Sequence, residues 1–208
     1  MRSLFFFLAA LTACNKVYTP ETSRPAVVFG DSIAYGTGAS HPRFNLASCL
    51  GKYTGAYFKN MGVPGETSRE ALQRLPELLA LKPRMVVLSI GGNDLQNHLG
   101  SLAASSGKHG SFPPEETQKN LTLIFEQLQR EKIPVLYVNM DPPLVVSNLR
   151  SLAAHADGRL GRIEALTRLF PSVHFVKRAM EGLWQNPEKM SDEIHPNNHG
   201  YTDMCIKI

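Results

Sequence analysis

The chain has 208 residues, of which 43% are apolar and 19% charged, and its formal net charge is +4. That length and apolar content suit one domain with a sizeable core. The positive excess is mild, with no basic run and no aromatic-basic interleaving, which argues against nucleic acid as a partner. There is no internal repeat and no low-complexity tract.

Residues 1–13 read as a targeting segment. Arg2 precedes the apolar run Leu4-Phe5-Phe6-Phe7-Leu8-Ala9-Ala10-Leu11, which is far too short to span a bilayer. The run meets Leu11-Thr12-Ala13-Cys14, which resembles a bacterial lipobox. On that reading cleavage precedes Cys14, which becomes the lipidated first residue. The alternative is an ordinary secretory signal in which Cys14 is incidental. Asn15 follows, and by the sorting rule for such lipoproteins a residue other than Asp implies the outer membrane. Residues 14–25 are polar, hold Pro20 and Pro25, and read as a tether. The eleven residues after Cys14, when extended, reach at most roughly 35–40 Å, which keeps the domain near the membrane surface.

From Ala26 onward short apolar runs alternate with amphipathic segments, the pattern of βαβ units and a parallel sheet. The predicted strands are Ala26–Phe29, Ala56–Asn60, Met85–Ile90, Val135–Asn139 and Val173–Val176. Thr67-Ser68-Arg69-Glu70 has capping-box form and precedes apolar Ala71, Leu72, Leu75, Leu78 and Leu79. Pro76 is expected to kink or divide that helix. Glu115 and Glu116 open the next helix, with a stripe of Leu121, Ile124, Phe125 and Leu128. A further helical region is expected over Leu149–Phe170, broken near Gly158 or Gly161. Five such strands predict a three-layer α/β/α sandwich around a flavodoxin-like five-stranded parallel sheet, with ligands bound at the carboxyl ends of the strands.

Four motifs fall where strands should end: Gly30-Asp31-Ser32, Asn60-Met61-Gly62, Gly91-Gly92-Asn93-Asp94 and, after a long loop, Asp192-Glu193-Ile194-His195-Pro196. They supply a nucleophile, oxyanion donors, an acid and a base, the inventory for cleaving an ester or thioester through an acyl-enzyme. Ser32 is the candidate nucleophile, although serine before a helix also suits an N-cap. His195 is the base and Asp192, three residues earlier, its orienting carboxylate. Gly62 N–H, Asn93 side-chain amide and Ser32 N–H are the candidate oxyanion donors. Asp31 and Asp94 read as loop-bracing carboxylates rather than metal ligands. No metal and no cofactor are called for. Of the other histidines, His199 reads as a surface or capping residue, whereas His41, His98 and His109 lie in active-edge loops.

Val28-Phe29-Gly30-Asp31-Ser32, Gly91-Gly92-Asn93-Asp94 and Val63-Pro64-Gly65-Glu66-Thr67-Ser68 together resemble the SGNH hydrolases, or GDSL lipase/esterase family. The chain is most similar to the bacterial branch of thioesterases, arylesterases and lysophospholipases, from about Ala26 to the C-terminus. The resemblance implies a serine esterase acting on lipid-like or short acyl esters and thioesters. It also implies that residues 99–114 help shape an acyl pocket. Two other readings stay open: a carbohydrate or peptidoglycan O-acetyl esterase, and a non-catalytic envelope-binding lipoprotein that keeps the fold. Intact Ser32, Asp192 and His195 argue against the last.

Cys49 and Cys205 fit no zinc spacing. Cys49 falls on the first long helix and Cys205 on the last, which share a face of the sheet in a flavodoxin-like order. They are either a disulfide or two buried thiols.

Overall fold

The computed structural model describes residues 24–97, 114–138, 161–177 and 179–208. Five strands form one sheet: β1 Ala26–Gly30, β2 Phe58–Gly62, β3 Met85–Ser89, β4 Val135–Val138 and β5 Val173–Val176. Their order is β2-β1-β3-β4-β5, and every pairing is parallel. This is the expected flavodoxin-like order. Every residue of β1 is buried, and so is every residue of β3 except Met85, as central strands covered on both faces require. The edge strands β2 and β5 are half-buried.

β2 starts and ends two residues later than its apolar run predicts. Its register pairs Phe58 with Ala26 and Gly62 with Gly30, so the partner strand, not local hydropathy, sets its limits. The expected end of the fourth strand at Asn139 and most of the expected 149–170 helix lie outside the described residues. Residues 161–167 are helical.

Alternation along β1 divides the core. Ala26 and Val28 face one apolar cluster with Leu46, Leu50, Tyr201 and Met204, whereas Val27 and Phe29 face another with Leu75, Leu78, Leu121 and Phe125. The first layer holds α1 Ser32–Tyr35, α2 Leu46–Thr54 and α5 Asn198–Lys207; the second holds α3 Ser68–Ala80 and α4 Pro114–Arg130. The Thr67–Glu70 capping box is formed in both directions. α3 runs unbroken through Pro76; that residue is exposed. Cys49 and Cys205 are buried thiols on α2 and α5, in the same apolar cluster.

Gly30 ends β1 with φ +131°, and a Cβ there would stand 1.8 Å from the Ser89 carbonyl oxygen. Neither the dihedral nor the spacing admits a side chain. Gly30→Ala is expected to destabilise the domain by more than about 3 kcal/mol, read as a shifted urea midpoint. A midpoint within error of the parent would show that β1 and β3 can part at this point without cost.

Candidate active site

The turn between β1 and α1 is built on Asp31. Its backbone N–H donates to Ser89 O at 2.9 Å. Its side chain caps α1 by accepting Ile33 N–H at 3.0 Å, and it also accepts Ser89 Oγ–H at 3.3 Å. Asp31 is therefore the N-cap and Ser32 the first helical residue. The Ser32 hydroxyl is not spent on capping. The Ser32 N–H has no acceptor among the described residues.

Ser32 Oγ lies 3.1 Å from His195 Nε2, and His195 Nδ1 lies 2.8 Å from Asp192 Oδ2. A carboxylate only accepts, so Nδ1 carries the proton and Nε2 accepts from the serine hydroxyl. Asp192 Oδ1 accepts the backbone N–H groups of Ile194 and His195 at 2.8 and 2.7 Å. Burial pushes the Asp192 carboxyl up, but the His195 side chain and these two backbone donors outweigh it and hold the pKa below its ordinary value. The loop itself is pinned: Ser191 N–H donates to His195 O, and Asn197 N–H donates to Lys189 O. The three residues expected to cooperate are thus in one hydrogen-bonded line, although Ser32 and His195 are 163 positions apart.

The expected oxyanion donors divide. Asn93 Nδ2 donates one hydrogen to Glu66 O at 2.9 Å, which fixes the amide plane and leaves its second hydrogen without an acceptor among the described residues. Gly62 N–H, by contrast, donates to Asn60 Oδ1 at 2.9 Å. Glycine is required there because a Cβ would lie 2.0 Å from Tyr35 N. Gly62 is therefore a packing residue whose N–H is already committed. The next turn offers another amide. Gly65, at φ +82°, has open space beside its Cα, and its N–H has no acceptor among the described residues. It directly precedes Glu66, the residue that Asn93 grips. The signal was present in the sequence as Val63-Pro64-Gly65-Glu66-Thr67-Ser68, but sequence alone could not show which glycine amide was free.

Two buried polar clusters hold these turns. Asp94 accepts Ser68 N–H at 2.9 Å, Ser68 Oγ–H and Thr117 Oγ–H at 3.2 Å, and Asn120 Nδ2 donates to Ser68 Oγ at 3.0 Å. Ser68 is fully buried, so this serine braces α3, α4 and the Asn93 turn and is closed to substrate. Glu66 pairs with Arg74, whose Nη2 also donates to Met61 O at 2.8 Å. Burial raises the Glu66 pKa against the opposing pull of Arg74. Asp31 and Asp94 brace loops, as expected. His199 is exposed at the start of α5. His98 and His109 lie outside the described residues.

Burial also pushes the Asp31 carboxyl up, from 3.8 to about 7, against its hydrogen bonds from Ile33 and Ser89. Between those values the folded chain holds a proton that the unfolded chain has lost. Stability from this group is therefore full below about pH 4 and declines as pH rises towards 7. Asp31→Asn keeps an oxygen acceptor for Ile33 and Ser89 and cannot ionise. Its stability relative to the parent is expected to improve between pH 4 and 8, by on the order of a few kcal/mol. Urea unfolding at several pH values measures this, and parallel pH profiles for the two proteins would contradict it.

The sequence profile of the GDSL-like Lipase/Acylhydrolase family matches residues 28–202. The chain is 27% identical over 202 residues to "Thioesterase 1/protease 1/lysophospholipase L1" of Escherichia coli (strain K12), covering 93% of this chain and 83% of that protein. Among solved structures it is similar to AlinE4, an SGNH-hydrolase family esterase, with TM-score 0.62 and 28% identity over 86% of this chain and 88% of that one. It also shares its fold with TesA, with TM-score 0.69 and 24% identity over 88% and 95% of the two chains. Profile, fold and site agree: the chain belongs to the GDSL-like lipase/acylhydrolase family and is a serine hydrolase acting on ester bonds.

Proposed function

We propose that Ser32, His195 and Asp192 carry the reaction, and that the substrates are acyl esters and thioesters of the lysophospholipase and arylesterase kind. The single observation behind the residue assignment is the hydrogen-bonded line from Ser32 Oγ through His195 to Asp192. Ser32 Oγ attacks the acyl carbon as its proton passes to His195 Nε2. The carbonyl oxygen, now negative, is held by Ser32 N–H, by the second hydrogen of Asn93 Nδ2 and by Gly65 N–H in place of Gly62. The bond to the leaving group breaks, and that group takes the proton from His195. Water then repeats the sequence and releases the acid.

The test is hydrolysis of p-nitrophenyl esters from acetyl to palmitoyl. Ser32→Ala is expected to abolish turnover, and Asn93→Ala to lower kcat by about 10²–10³. Turnover that extends to medium or long chains supports the lipid and thioester reading. Activity confined to acetyl would instead favour an O-acetyl esterase. A Ser32→Ala protein as active as the parent would remove the mechanism altogether.

We also propose that the protein works in the cell envelope, held there by acyl chains on Cys14, and that the two thiols of Cys49 and Cys205, free in this structure, are oxidised to a disulfide in that oxidising compartment. The lipobox-like Leu11–Cys14 segment, which lies outside the described residues, motivates the first claim. The burial of both cysteines in one apolar cluster, on α2 and α5, motivates the second. Intact mass of protein purified from a bacterial envelope reads both: acyl mass on a chain beginning at Cys14, and no alkylation of Cys49 and Cys205 until reduction. An unmodified N-terminus, or alkylation of both cysteines in denatured, unreduced protein, would refute the respective claim.

A further inference from the structure

All the strand pairings are parallel, so the strands begin at one edge of the sheet and end at the other, where Ser32 follows β1. Main-chain bonds stitch together the segments that enter the first edge. Ala26 N–H donates to Tyr57 O, Arg84 N–H to Pro25 O, Val86 N–H to Pro134 O and Val135 N–H to Ser172 O. α2, α3 and α4 lead into β2, β3 and β4, so these helices end at the same edge.

This edge is basic. Arg24, Lys52, Lys82, Arg84, Arg130 and Lys132 are all exposed there. None of them forms an ion pair with another described residue. Arg24 donates to the carbonyls of Lys82 and Pro83, which leaves its charge uncompensated. Glu131 is the only acidic side chain in segments 24–26, 52–57, 80–85 and 129–135. Because separate segments supply the cations, they form no run in the sequence.

Helix ends attract cations in general, since the macrodipole is negative there. That does not account for where two of these lysines stand. Lys82 and Lys132 have φ +48° and +57°, and among the described residues they are the only non-glycine residues with positive φ. Each lies just past a helix, α3 or α4, where glycine is the ordinary residue. A side chain in that conformation costs stability that glycine would not. The fold therefore carries a cation at two positions where its backbone favours none. Aromatic surface adjoins the charge: Tyr53, near the end of α2, is 56% exposed, and Tyr57, just before β2, is 74% exposed. Tyrosine suits a boundary with water on one side and acyl chains on the other.

The tether also joins the domain here, because residues 14–25 lead directly into β1 at Ala26. A chain held at Cys14 brings this edge, not the active edge, towards the membrane. The five residues of β1 rise about 17 Å, which sets Ser32 back from the surface.

We propose that this basic edge, with Tyr53 and Tyr57, docks on the anionic lipid head groups of a bilayer, and that the reaction centre then opens away from that bilayer. The proposal goes beyond the envelope reading and takes its partner from it. Each cation near an anionic lipid surface adds an attraction that salt screens.

The test uses residues 14–208, which hold every described residue, with Cys14→Ser so that no acyl group takes part. Vesicles are phosphatidylcholine with or without a quarter of phosphatidylglycerol. Co-sedimentation at low salt is expected to show binding about tenfold or more stronger to the anionic vesicles, declining as salt is raised. Lys82→Gly with Lys132→Gly is expected to weaken that binding by about tenfold. Glycine suits both turns, so this double variant is expected to melt no lower than the parent. Lys119→Gln with Lys177→Gln removes the same charge from the second turn of α4 and from the residue after β5, nearer the active edge, and is expected to bind as the parent does. No binding to the anionic vesicles, equal binding to both kinds, or equal loss in the two double variants overturns the proposal. Vesicle-bound parent is expected to hydrolyse p-nitrophenyl acetate as fast as free protein, and inactivation on binding overturns the orientation. Acylation of Cys14 is read separately by intact mass, so failure of the anchor and failure of the docking edge are distinct results.

Discussion

The lock between Gly30-Asp31 and Ser89 is the constraint on which the reaction centre depends. β1 and β3 are the two buried central strands, and they meet at their carboxyl ends through three contacts. Gly30 lies against the Ser89 carbonyl, Asp31 N–H donates to that oxygen, and Ser89 Oγ donates back to the Asp31 carboxylate. The same carboxylate caps α1. One buried side chain therefore ties the carboxyl end of β3 to the helix that begins with Ser32. Placing a carboxyl where water cannot reach it raises its pKa. That cost is tolerated because no exposed residue could hold the strand end, the helix start and the neighbouring strand at once.

A second layer of buried polarity does the same for the Asn93 turn. Asp94 gathers α3 and α4 through Ser68 and Thr117, and Tyr137 OH donates to Ile90 O at 2.8 Å beneath the turn. Glu66 and Arg74 secure the loop after β2, and Asn93 reaches across to the backbone of that loop. Such satisfied networks specify one arrangement of the chain more than they add net stability. Catalysis by fixed donors needs that kind of rigidity, because a donor that must reorient loses most of its advantage.

Residues 36–40 are bolted to the loop that carries His195 through Gly38 and Ser40. That contact holds the chain after α1 and the His195 loop as one unit.

Much of this was legible in the sequence. The short apolar runs located all five strands, because a parallel sheet covered on both faces demands them. The motif spacing marked Ser32, Asn93, Asp192 and His195, because chemistry restricts residue type at a strand end. The Thr67–Glu70 cap followed from local hydrogen bonding alone. Tertiary structure decided the rest. Strand pairing moved β2 to Phe58–Gly62. α3 continued through Pro76, an interruption that local propensity counts as a break. Asp31, not Ser32, became the cap, because only the packed turn shows which oxygen meets Ile33 N–H. Gly62 and Gly65 look alike as letters, yet Asn60 occupies one amide and leaves the other open. A sequence states which groups exist and what they prefer nearby. Which donor is already taken depends on a neighbour brought in by the fold.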